Sequence, residues 1–403
     1  MTSRDQEGMF GRHYQELVGY PIRISTPRES MRILTVGSGE ILKPGGANKF
    51  VVEINRELSQ LGHSCTVIIT GSIDGPRDEV YEGFRIIRVK SFFSTLLYGM
   101  NLKACSYIKR HYDELDPDVA FIHGYHSLSS PLAVLLFRKF IAKRVPIAFT
   151  PHYDPFARAT HLGKAFGWVY DWAFGKQMMK TVDLVVADSD YEAHNLSEVL
   201  HVHGKLKTIP LGVDVLAESN IRIRGSKIRL LYLGYLLEYK GVQDIIRSLH
   251  ELVFVRGVVD VELTIVGEGS FKQHLVREAV NLKVADFIKW RPFLSPSERL
   301  QEMNNADILV HLSRSEAYGL IVAEALGMGI PAIVTKGTAL EEFTKEPGCY
   351  GVDLPPDPSK VADLILWIHE SSPKVGPFSH KIRPWNMVAR DYEQTFVDLI
   401  NTI

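Results

Sequence analysis

The chain lacks the features that mark several special classes of protein. It has three cysteines in 403 residues, Cys65, Cys105 and Cys349, and their number and spacing match neither a disulfide framework nor a zinc site. Reduced thiols of this kind favour a cytoplasmic protein. No apolar run reaches the about 20 residues that a membrane-spanning helix needs. The net charge of −1 gives no long-range attraction to nucleic acid, so we expect no nucleic acid partner.

The composition that remains is that of a folded globular protein, with 45% hydrophobic and 23% charged residues. A length of 403 residues is typical of two domains. Residues 1–30 are polar and charged, and they lack the apolar segment of a secretory signal. We expect these residues to form an N-terminal extension. Either Met31 is the true start of translation, or the extension is a regulatory or docking arm.

Short β-branched runs alternate with amphipathic segments along the chain. The runs predict strands at 33–36, 65–70, 84–89, 119–123, 146–150, 184–187, 228–233, 261–266, 288–290, 308–311 and 330–335. The amphipathic segments predict helices at 48–61, 102–112, 128–142, 167–181, 242–255, 269–279, 297–304 and 319–326. This alternation predicts two α/β domains with parallel sheets, divided near residues 203–214. Ligands of such domains bind beyond the carboxyl ends of the strands, so we expect a site in the cleft between two lobes.

The most informative segment places two glutamates eight positions apart, at Glu316 and Glu324. Glu316 lies in a polar loop, and Glu324 lies just over a turn inside the helix predicted from Gly319. The free N–H groups at the start of that helix suit a phosphate, and carboxylates suit sugar hydroxyls. A glycosidase would hold its carboxyls roughly 5 to 9.5 Å apart. Eight helical residues span about 12 Å, but the loop can shorten this, so a glycosidase and two ordinary surface glutamates both stay open.

This segment and six others match one family in order. Glu316–Gly319 reads E-A-Y-G, and Glu324-Ala325-Leu326 and Gly329-Ile330-Pro331 follow. The other matching segments are Met31–Val36, Pro44–Ala47, Phe149–His152, Ile209–Asp214, Leu233-Gly234 with Lys240-Gly241, and Arg383–Trp385. Together they resemble the retaining glycosyltransferases of family 4, which have the two-domain GT-B fold. The resemblance covers about residues 31 to 403.

The resemblance implies two Rossmann-like β/α/β domains that face each other across a cleft. Residues 31–205 would form the acceptor-side domain, residues 206–385 the nucleotide-sugar domain, and residues 386–403 a closing helix that crosses back to the N-terminal lobe. It also implies retaining transfer of a sugar from a nucleoside diphosphate donor, a UDP- or GDP-sugar, to a carbohydrate or lipid-linked acceptor. The alternatives are a non-catalytic glycan- or nucleotide-binding homologue and a sugar-nucleotide epimerase with the same fold.

The resemblance assigns roles to individual residues of the donor site. Glu324 would hold the ribose hydroxyls, Glu316 would hold the hydroxyls of the donor sugar, and His152 would contact that sugar from the other lobe. Lys240, the backbone near Gly46 and the helix start at Tyr318-Gly319-Leu320 would hold the diphosphate. Because these groups would take the place of a metal ion, we expect no metal and no other cofactor.

One position departs from the family pattern. Tyr235 follows Gly234 directly, where the family usually has an arginine that holds the diphosphate. A tyrosine keeps a hydroxyl donor and loses the charge, which makes the hydrogen bond weaker. We keep Tyr235 in the donor site, and the cations that would compensate are Arg291, Arg314, Lys43 and Lys49. Arg291 and the two residues after it would also lie against the base.

Three further motifs have an alternative interpretation. Asp188-Ser189-Asp190 has the D-x-D pattern of metal-dependent glycosyltransferases, although a turn and helix cap is the more frequent use of these residue types. Gly37-Ser38-Gly39 lacks the third glycine of a dinucleotide site. His123 and His126 flank a strand end without the helical pairing of a metal site, so we expect His123 to be structural and His126 to face the acceptor.

The last segment predicts a peripheral membrane contact at the inner face of the membrane. Four cations end the apolar helix within Leu132–Arg144, and an aromatic loop nearby carries Phe92, Phe93, Leu96, Leu97 and Tyr98. Each basic residue near an anionic surface can contribute about 1 kcal/mol. A helix that is buried on one side and solvated on the other is the alternative.

Overall fold

The computed structural model describes residues 30–37, 41, 45–71, 77–90, 102–154, 167, 169–214, 225–378 and 381–403. Several predictions lie outside these residues. They concern residues 1–29, Ser38 and Gly39, Lys43 and Pro44, and the aromatic loop from Phe92 to Tyr98.

The N-terminal lobe is built on one twisted sheet. Its described strands are β1 (Arg32–Val36), β2 (Ser64–Gly71), β3 (Asp78–Tyr81), β4 (Phe84–Lys90), β5 (Val119–His123), β6 (Ile147–Thr150), β7 (Leu184–Ala187) and β8 (Leu206–Thr208). Their order in space is β3-β4-β2-β1-β5-β6-β7-β8. The neighbouring strands run parallel, except that β3 is antiparallel to β4.

The C-terminal lobe repeats this architecture. Its described strands are β9 (Ile228–Leu233), β10 (Val261–Val266), β11 (Ile288–Arg291), β12 (Ile308–His311), β13 (Ala332–Thr335) and β14 (Cys349–Val352). They form a parallel sheet in the order β11-β10-β9-β12-β13-β14. Since the parallel strands of each lobe end at the same edge, the loops that follow them meet in the cleft between the lobes.

Helices cover both sheets. In the described part of the chain they are α1 (Gly46–Gln60), α2 (Leu102–Arg110), α3 (Tyr112–Leu115), α4 (Ser129–Lys139), α5 (Lys176–Thr181), α6 (Asp190–Leu200), α7 (Val242–His250), α8 (Lys272–Asn281), α9 (Pro296–Asn305), α10 (Leu320–Gly327), α11 (Pro358–Ser371) and α12 (Trp385–Thr402). Turns of π-helix lie at Asp171–Gly175 and Glu251–Val255, and 3₁₀ turns lie at Glu238–Lys240, Ala285–Phe287 and Ala339–Lys345.

Local sequence signals explain where several helices begin. Ser295 caps α9 through a complete capping box with Glu298, and a proline occupies the first turn. Asp357 caps α11 in front of another proline. None of the described helices is both long and apolar enough to cross a bilayer.

The closing helix α12 ties the lobes together. The ring of Tyr392 lies 5.7 Å from Phe50 on α1 and 5.3 Å from Phe121 on β5. One hydrophobic cluster joins these residues to Trp385 and to Leu326 of the second lobe. The predicted GT-B architecture of two Rossmann-like domains is therefore confirmed.

The strands also differ from the sequence prediction in detail. Strands β3, β8 and β14, which are three or four residues long, were not predicted. Strand β8 pairs with β7, so the first sheet extends to Thr208, three residues past the domain boundary predicted after residue 205. The division of the chain into domains is otherwise still a prediction.

Candidate active site

Two helix N-termini converge on the cleft. Helix α1 of the first lobe begins at Gly46, and helix α10 of the second lobe begins at Leu320. A Cβ atom placed on Gly46 would lie only 3.9 Å from the Cβ of Leu320, so the two starts are neighbours. Free N–H groups and the positive dipole end of each helix therefore lie together, an arrangement that favours a bound anion.

Glu316 lies in the loop that connects β12 to α10. Its Oε1 accepts hydrogen bonds from Lys240 Nζ at 2.7 Å and from His311 Nε2 at 2.8 Å. Burial alone would raise the pKa of Glu316, but the charge of Lys240 and the bond from His311 outweigh it and lower the pKa to about 2. Glu316 is therefore a carboxylate at neutral pH and can accept further hydrogen bonds from hydroxyl groups.

Lys240 reaches Glu316 from a 3₁₀ turn after β9. Burial opposes its charge, but the carboxylate of Glu316 raises the pKa of Lys240 above its usual value. The next residue, Gly241, has a φ of 73° and is the N-cap residue of α7. A Cβ atom at Gly241 would lie 1.9 Å from the carbonyl oxygen of Leu312, so only glycine lets this turn approach the loop of Glu316.

Glu324 lies on the second turn of α10 and binds cations from both lobes. Its Oε1 accepts from Lys49 Nζ at 2.5 Å, and its Oε2 accepts from Arg299 Nη1 at 2.8 Å. Lys49 comes from α1, and its Nζ also lies 2.5 Å from Asp214 Oδ2. Asp214 in turn accepts from the indole N–H of Trp385 at 3.0 Å. A chain of charged and polar contacts therefore connects α10 to α1 and to the segment between the lobes.

The start of α10 is built from Tyr318 and Gly319. Gly319 has a φ of 102°, a left-handed conformation that disfavours a side chain, and a Cβ atom there would lie 2.3 Å from Leu340. The hydroxyl of Tyr318 donates to the carbonyl oxygens of Leu211 at 3.2 Å and Lys381 at 3.1 Å. The Tyr318 side chain thus anchors the loop in the core, and only its backbone is left to contact a ligand.

His152 approaches the site from the end of β6 in the first lobe. Its Nδ1 lies 2.6 Å from Asp188 Oδ2, and its backbone has a φ of 49°. The ring of Phe50 lies edge-on at 5.3 Å, and the ring of His123 is nearly parallel to it at 5.9 Å. His123 is 3% exposed and lies against Phe121 at 4.0 Å, which agrees with a structural residue.

Tyr235 follows β9 and Arg291 ends β11, the two strands on either side of β10. Tyr235 is 44% exposed, and its ring lies 5.1 Å from Phe293. Arg291 donates to Glu302 on α9 at 2.9 Å, so its charge is already paired. Arg314 likewise donates to Asp244 at 2.5 Å. Four cations were expected to compensate for the missing arginine. Among those that the structure describes, Lys49 contacts a glutamate of the motif, Glu324.

The D-x-D motif serves as a helix cap and a histidine partner. Ser189 is the N-cap of α6 and accepts from the backbone N–H of Glu192 at 3.0 Å. Asp188 is 2% exposed and bonds His152, whereas Asp190 is exposed. No group of three metal-binding side chains occurs among the described residues. His126 stacks on Tyr153 at 5.9 Å rather than joining the other histidines.

Contacts between the lobes complete the site, and none of them was predicted from the sequence. Ser189 Oγ of the first lobe donates to the carbonyl oxygen of Ala317 at 2.6 Å. The hydroxyl of Ser315 donates to Asp154. Both contacts hold the loop of Glu316 against the lobe that carries His152. Residues 128 and 161 positions apart meet here, so no local pattern could reveal them.

Comparison with known proteins agrees with this geometry. Residues 44–215 match the sequence profile described as Glycosyltransferase Family 4, and residues 217–382 match that of Glycosyl transferases group 1. The chain belongs to the group 1 glycosyltransferases. The profiles cover both lobes of the enzyme. They include the site residues named above except Trp385, which lies on the closing helix.

Curated relatives of this glycosyltransferase have diverse names. It is 26% identical to the glycogen synthase of Mycobacterium tuberculosis over 74% of its own chain and 76% of the relative. It is 24% identical to the alpha-monoglucosyldiacylglycerol synthase of Streptococcus pneumoniae, over 70% of its chain and 65% of the relative. The two profiles establish the family, and the names of these relatives describe the relatives alone.

Solved structures share the fold of the glycosyltransferase. Sucrose-phosphate synthase from Thermosynechococcus elongatus superimposes with a TM-score of 0.77 at 16% identity, covering 92% of this chain and 100% of that one. The Anabaena protein HepE in complex with UDP and glucose superimposes with a TM-score of 0.66 at 15% identity, covering 91% and 99%. At these identities the likeness concerns the GT-B fold alone.

Proposed function

We propose that this glycosyltransferase transfers a sugar from a nucleoside diphosphate donor to an acceptor hydroxyl, with retention of configuration and without a metal ion. The observation that carries the proposal is the convergence of three groups on one point of the cleft. These are the buried ion pair of Lys240 and Glu316, the start of α10 at Leu320, and the start of α1 at Gly46. Cationic groups and a carboxylate side by side suit a ligand that carries both phosphate and hydroxyl groups.

Departure of the diphosphate is the step that these groups would promote. Breaking the bond between sugar and phosphate places negative charge on the leaving phosphate and positive charge on the sugar. The fixed charge of Lys240 and the two helix N-termini would stabilise the phosphate, which is the role a metal ion has in other transferases. Since Lys240 is held by Glu316, little reorganisation is needed when that charge develops.

The remaining donor contacts follow from the chemistry of carboxylates. Glu316, with a pKa of about 2, would accept hydrogen bonds from the donor sugar. Glu324 would accept from the ribose diol and share its oxygens with Lys49 and Arg299. The base would lie near Arg291 and the aromatic pair of Tyr235 and Phe293. We propose a UDP- or GDP-sugar as the donor, supported by the UDP named for HepE.

A panel of nucleotide sugars tests the proposal. We expect nucleoside diphosphate to be released faster with an acceptor mixture than without it, and equally fast in EDTA and in magnesium or manganese. Loss of activity in EDTA that divalent metal restores would contradict the metal-free mechanism. An epimerase would convert the sugar without an acceptor, and a non-catalytic homologue would bind the nucleotide without turnover. NMR of the product's anomeric proton decides between retention and inversion.

We also propose that the outer face of the first lobe contacts an anionic membrane on its cytoplasmic side, where a lipid-linked acceptor would lie. Helix α4 packs between α2 and α5 on this face. Exposed cations lie on all three helices, at Lys103, Lys109, Arg110, Lys139 and Lys180. Among the described residues of α2, α4 and 171–181, Asp171 is the one acidic residue, so this face is positively charged. Exposed apolar side chains lie among them, at Leu102, Leu135, Trp172 and Phe174.

Vesicle sedimentation tests this membrane contact. We expect the enzyme to bind vesicles with anionic lipid, to bind neutral ones weakly, and to release from the former as salt rises. Lys139→Glu should weaken the binding, and Lys360→Glu, an exposed position on α11 of the other lobe, should leave it unchanged. Equal binding to both kinds of vesicle, or none, would leave a carbohydrate acceptor in solution as the alternative.

A further inference from the structure

Four ionisable side chains, three of them buried and one half-buried, lie together in the first lobe, below the cleft, and the proposed transfer uses one of them. They are His123, His152, Asp188 and Glu192, which come from the ends of three neighbouring strands and from the first turn of α6. The pair at their centre is His152 and Asp188, with Nδ1 and Oδ2 2.6 Å apart. Asp188 is 2% exposed, and burying a carboxylate costs free energy unless an interaction compensates for the lost hydration.

Helix capping does not explain Asp188. The cap of α6 is Ser189, whose hydroxyl accepts from Glu192 N–H at 3.0 Å. The side chain of Asp188 turns instead towards His152, and its second oxygen has no hydrogen-bond partner among the described residues. Glu192 accepts from the backbone N–H of Asp188 at 2.7 Å. Burial, and then the charge of Asp188, raise the pKa of Glu192 well above its usual range, which favours the neutral form of this neighbour.

The surroundings of His152 fix the plane of its ring. Its positive φ of 49° sets the direction of the side chain at the end of β6. His123 lies parallel on one side, and the edge contact with Phe50 lies at 5.3 Å. Burial, and then His152, lower the pKa of His123 well below its usual range, so it is a neutral ring beside His152. With Nδ1 bonded to Asp188, the atom of His152 that remains is Nε2, which has no partner among the described residues.

We propose that Asp188 is a positioning residue, which holds the proton of His152 on Nδ1 and thereby leaves Nε2 as a hydrogen-bond acceptor for a hydroxyl of the donor sugar. A carboxylate only accepts, so it selects the tautomer with the proton on the nitrogen that faces it. The ligand class follows, since Nε2 in this tautomer recognises an O–H donor rather than a phosphate oxygen. The role of Nε2 rests on the proposed sugar transfer, whereas the tautomer itself does not.

Nitrogen NMR tests the tautomer on the protein without substrates. The ¹⁵N signals of His152, assigned by their loss in His152→Gln, should show a protonated Nδ1 and an unprotonated Nε2 at neutral pH. In Asp188→Asn, whose amide can offer either its oxygen or its nitrogen, both tautomers should be populated. A protonated Nε2 in the unaltered enzyme, or the same single tautomer in Asp188→Asn, would overturn the proposal. If the enzyme turned over no nucleotide sugar, this result would stand and the proposed function alone would fail.

Kinetics test the consequence for transfer. Asp188→Ala should lower kcat about 10- to 100-fold, the loss seen when a metal-bound histidine loses the partner of its other ring nitrogen, and Asp188→Asn should lower it less. The Kd for the nucleoside diphosphate should stay within twofold. Asp190→Ala, an exposed position two residues away, should match the unaltered enzyme. In a His152→Gln background, Asp188→Asn should have no further effect on kcat, and additive losses would show that Asp188 acts independently of His152.

Discussion

Lys49 of the first lobe and Glu324 of the second form a direct ion pair, with Nζ and Oε1 2.5 Å apart and 275 positions of sequence between them. The carboxylate that would bind the ribose is therefore held by a cation from the opposite lobe. Lys49 lies three residues after Gly46, where α1 begins, and Glu324 lies four residues after Leu320, where α10 begins. The two helices meet first at their N-termini and then, a turn further on, through this pair.

Glu324→Ala should weaken binding of the nucleoside diphosphate. A hydrogen bond to a charged group contributes about 1.5–3 kcal/mol, so we expect a Kd about 10- to 150-fold higher. Isothermal titration calorimetry measures this directly. Glu278→Ala is a matched control, because Glu278 is also ion-paired, with Arg247 at 2.7 Å, but lies on the outer helix α8. Unchanged affinity in a folded Glu324→Ala enzyme would remove Glu324 from the ribose site.

Glu316→Gln should reduce turnover and spare the nucleotide. Its proposed partner is the donor sugar, which the nucleoside diphosphate lacks, and the substitution also removes the negative charge beside Lys240. We expect kcat to fall about 100-fold or more, as for loss of one charge-stabilising group, while Kd for the diphosphate stays within a few fold. Steady-state kinetics and calorimetry on the same preparation separate the two effects. Full turnover in Glu316→Gln would contradict the assignment.

Glu316 should also make stability depend on pH in the acidic range. Its pKa falls from 4.5 to about 2 on folding, so the unfolded chain takes up a proton on Glu316 before the folded protein does. The stabilisation is fully present above pH 4.5 and is lost as pH falls towards 2, on the order of 3 kcal/mol in all. Urea unfolding between pH 3 and 7 should therefore show a shallower pH slope for Glu316→Gln. Equal slopes in the two proteins would refute the ion pair.

Tyr235→Arg tests the departure from the family pattern. The ring of Tyr235 is 44% exposed and contacts Phe293, so an arginine can replace it without entering the core. A charged donor in place of a neutral one should tighten diphosphate binding about 3- to 10-fold. Tyr235→Phe is the control that removes the hydroxyl alone. Weaker binding of the diphosphate by Tyr235→Arg would mean that the position serves the base or the packing of Phe293.

Short-range patterns made much of the fold predictable. The strand β12, the polar loop of Glu316 and the helix that holds Glu324 follow one another as expected, because alternation, periodicity and capping act over a few residues. The turn at Lys240-Gly241 and the closing helix at Trp385 were expected from the resemblance to the family, and both are present. Strands β3, β8 and β14 were not predicted, since they are partly exposed and lack the continuous apolar run of the buried β12.

The sequence by itself determined the two α/β lobes and the residue types at the strand ends, because backbone preference and hydrophobic periodicity are local properties. Only the tertiary structure decided which charges meet. It paired Lys49 with Glu324, Asp188 with His152, and Arg291 with Glu302. It also made Asp188 of the D-x-D motif the partner of a histidine. Such pairings depend on distances between side chains that are remote in sequence, and chain packing alone sets those distances.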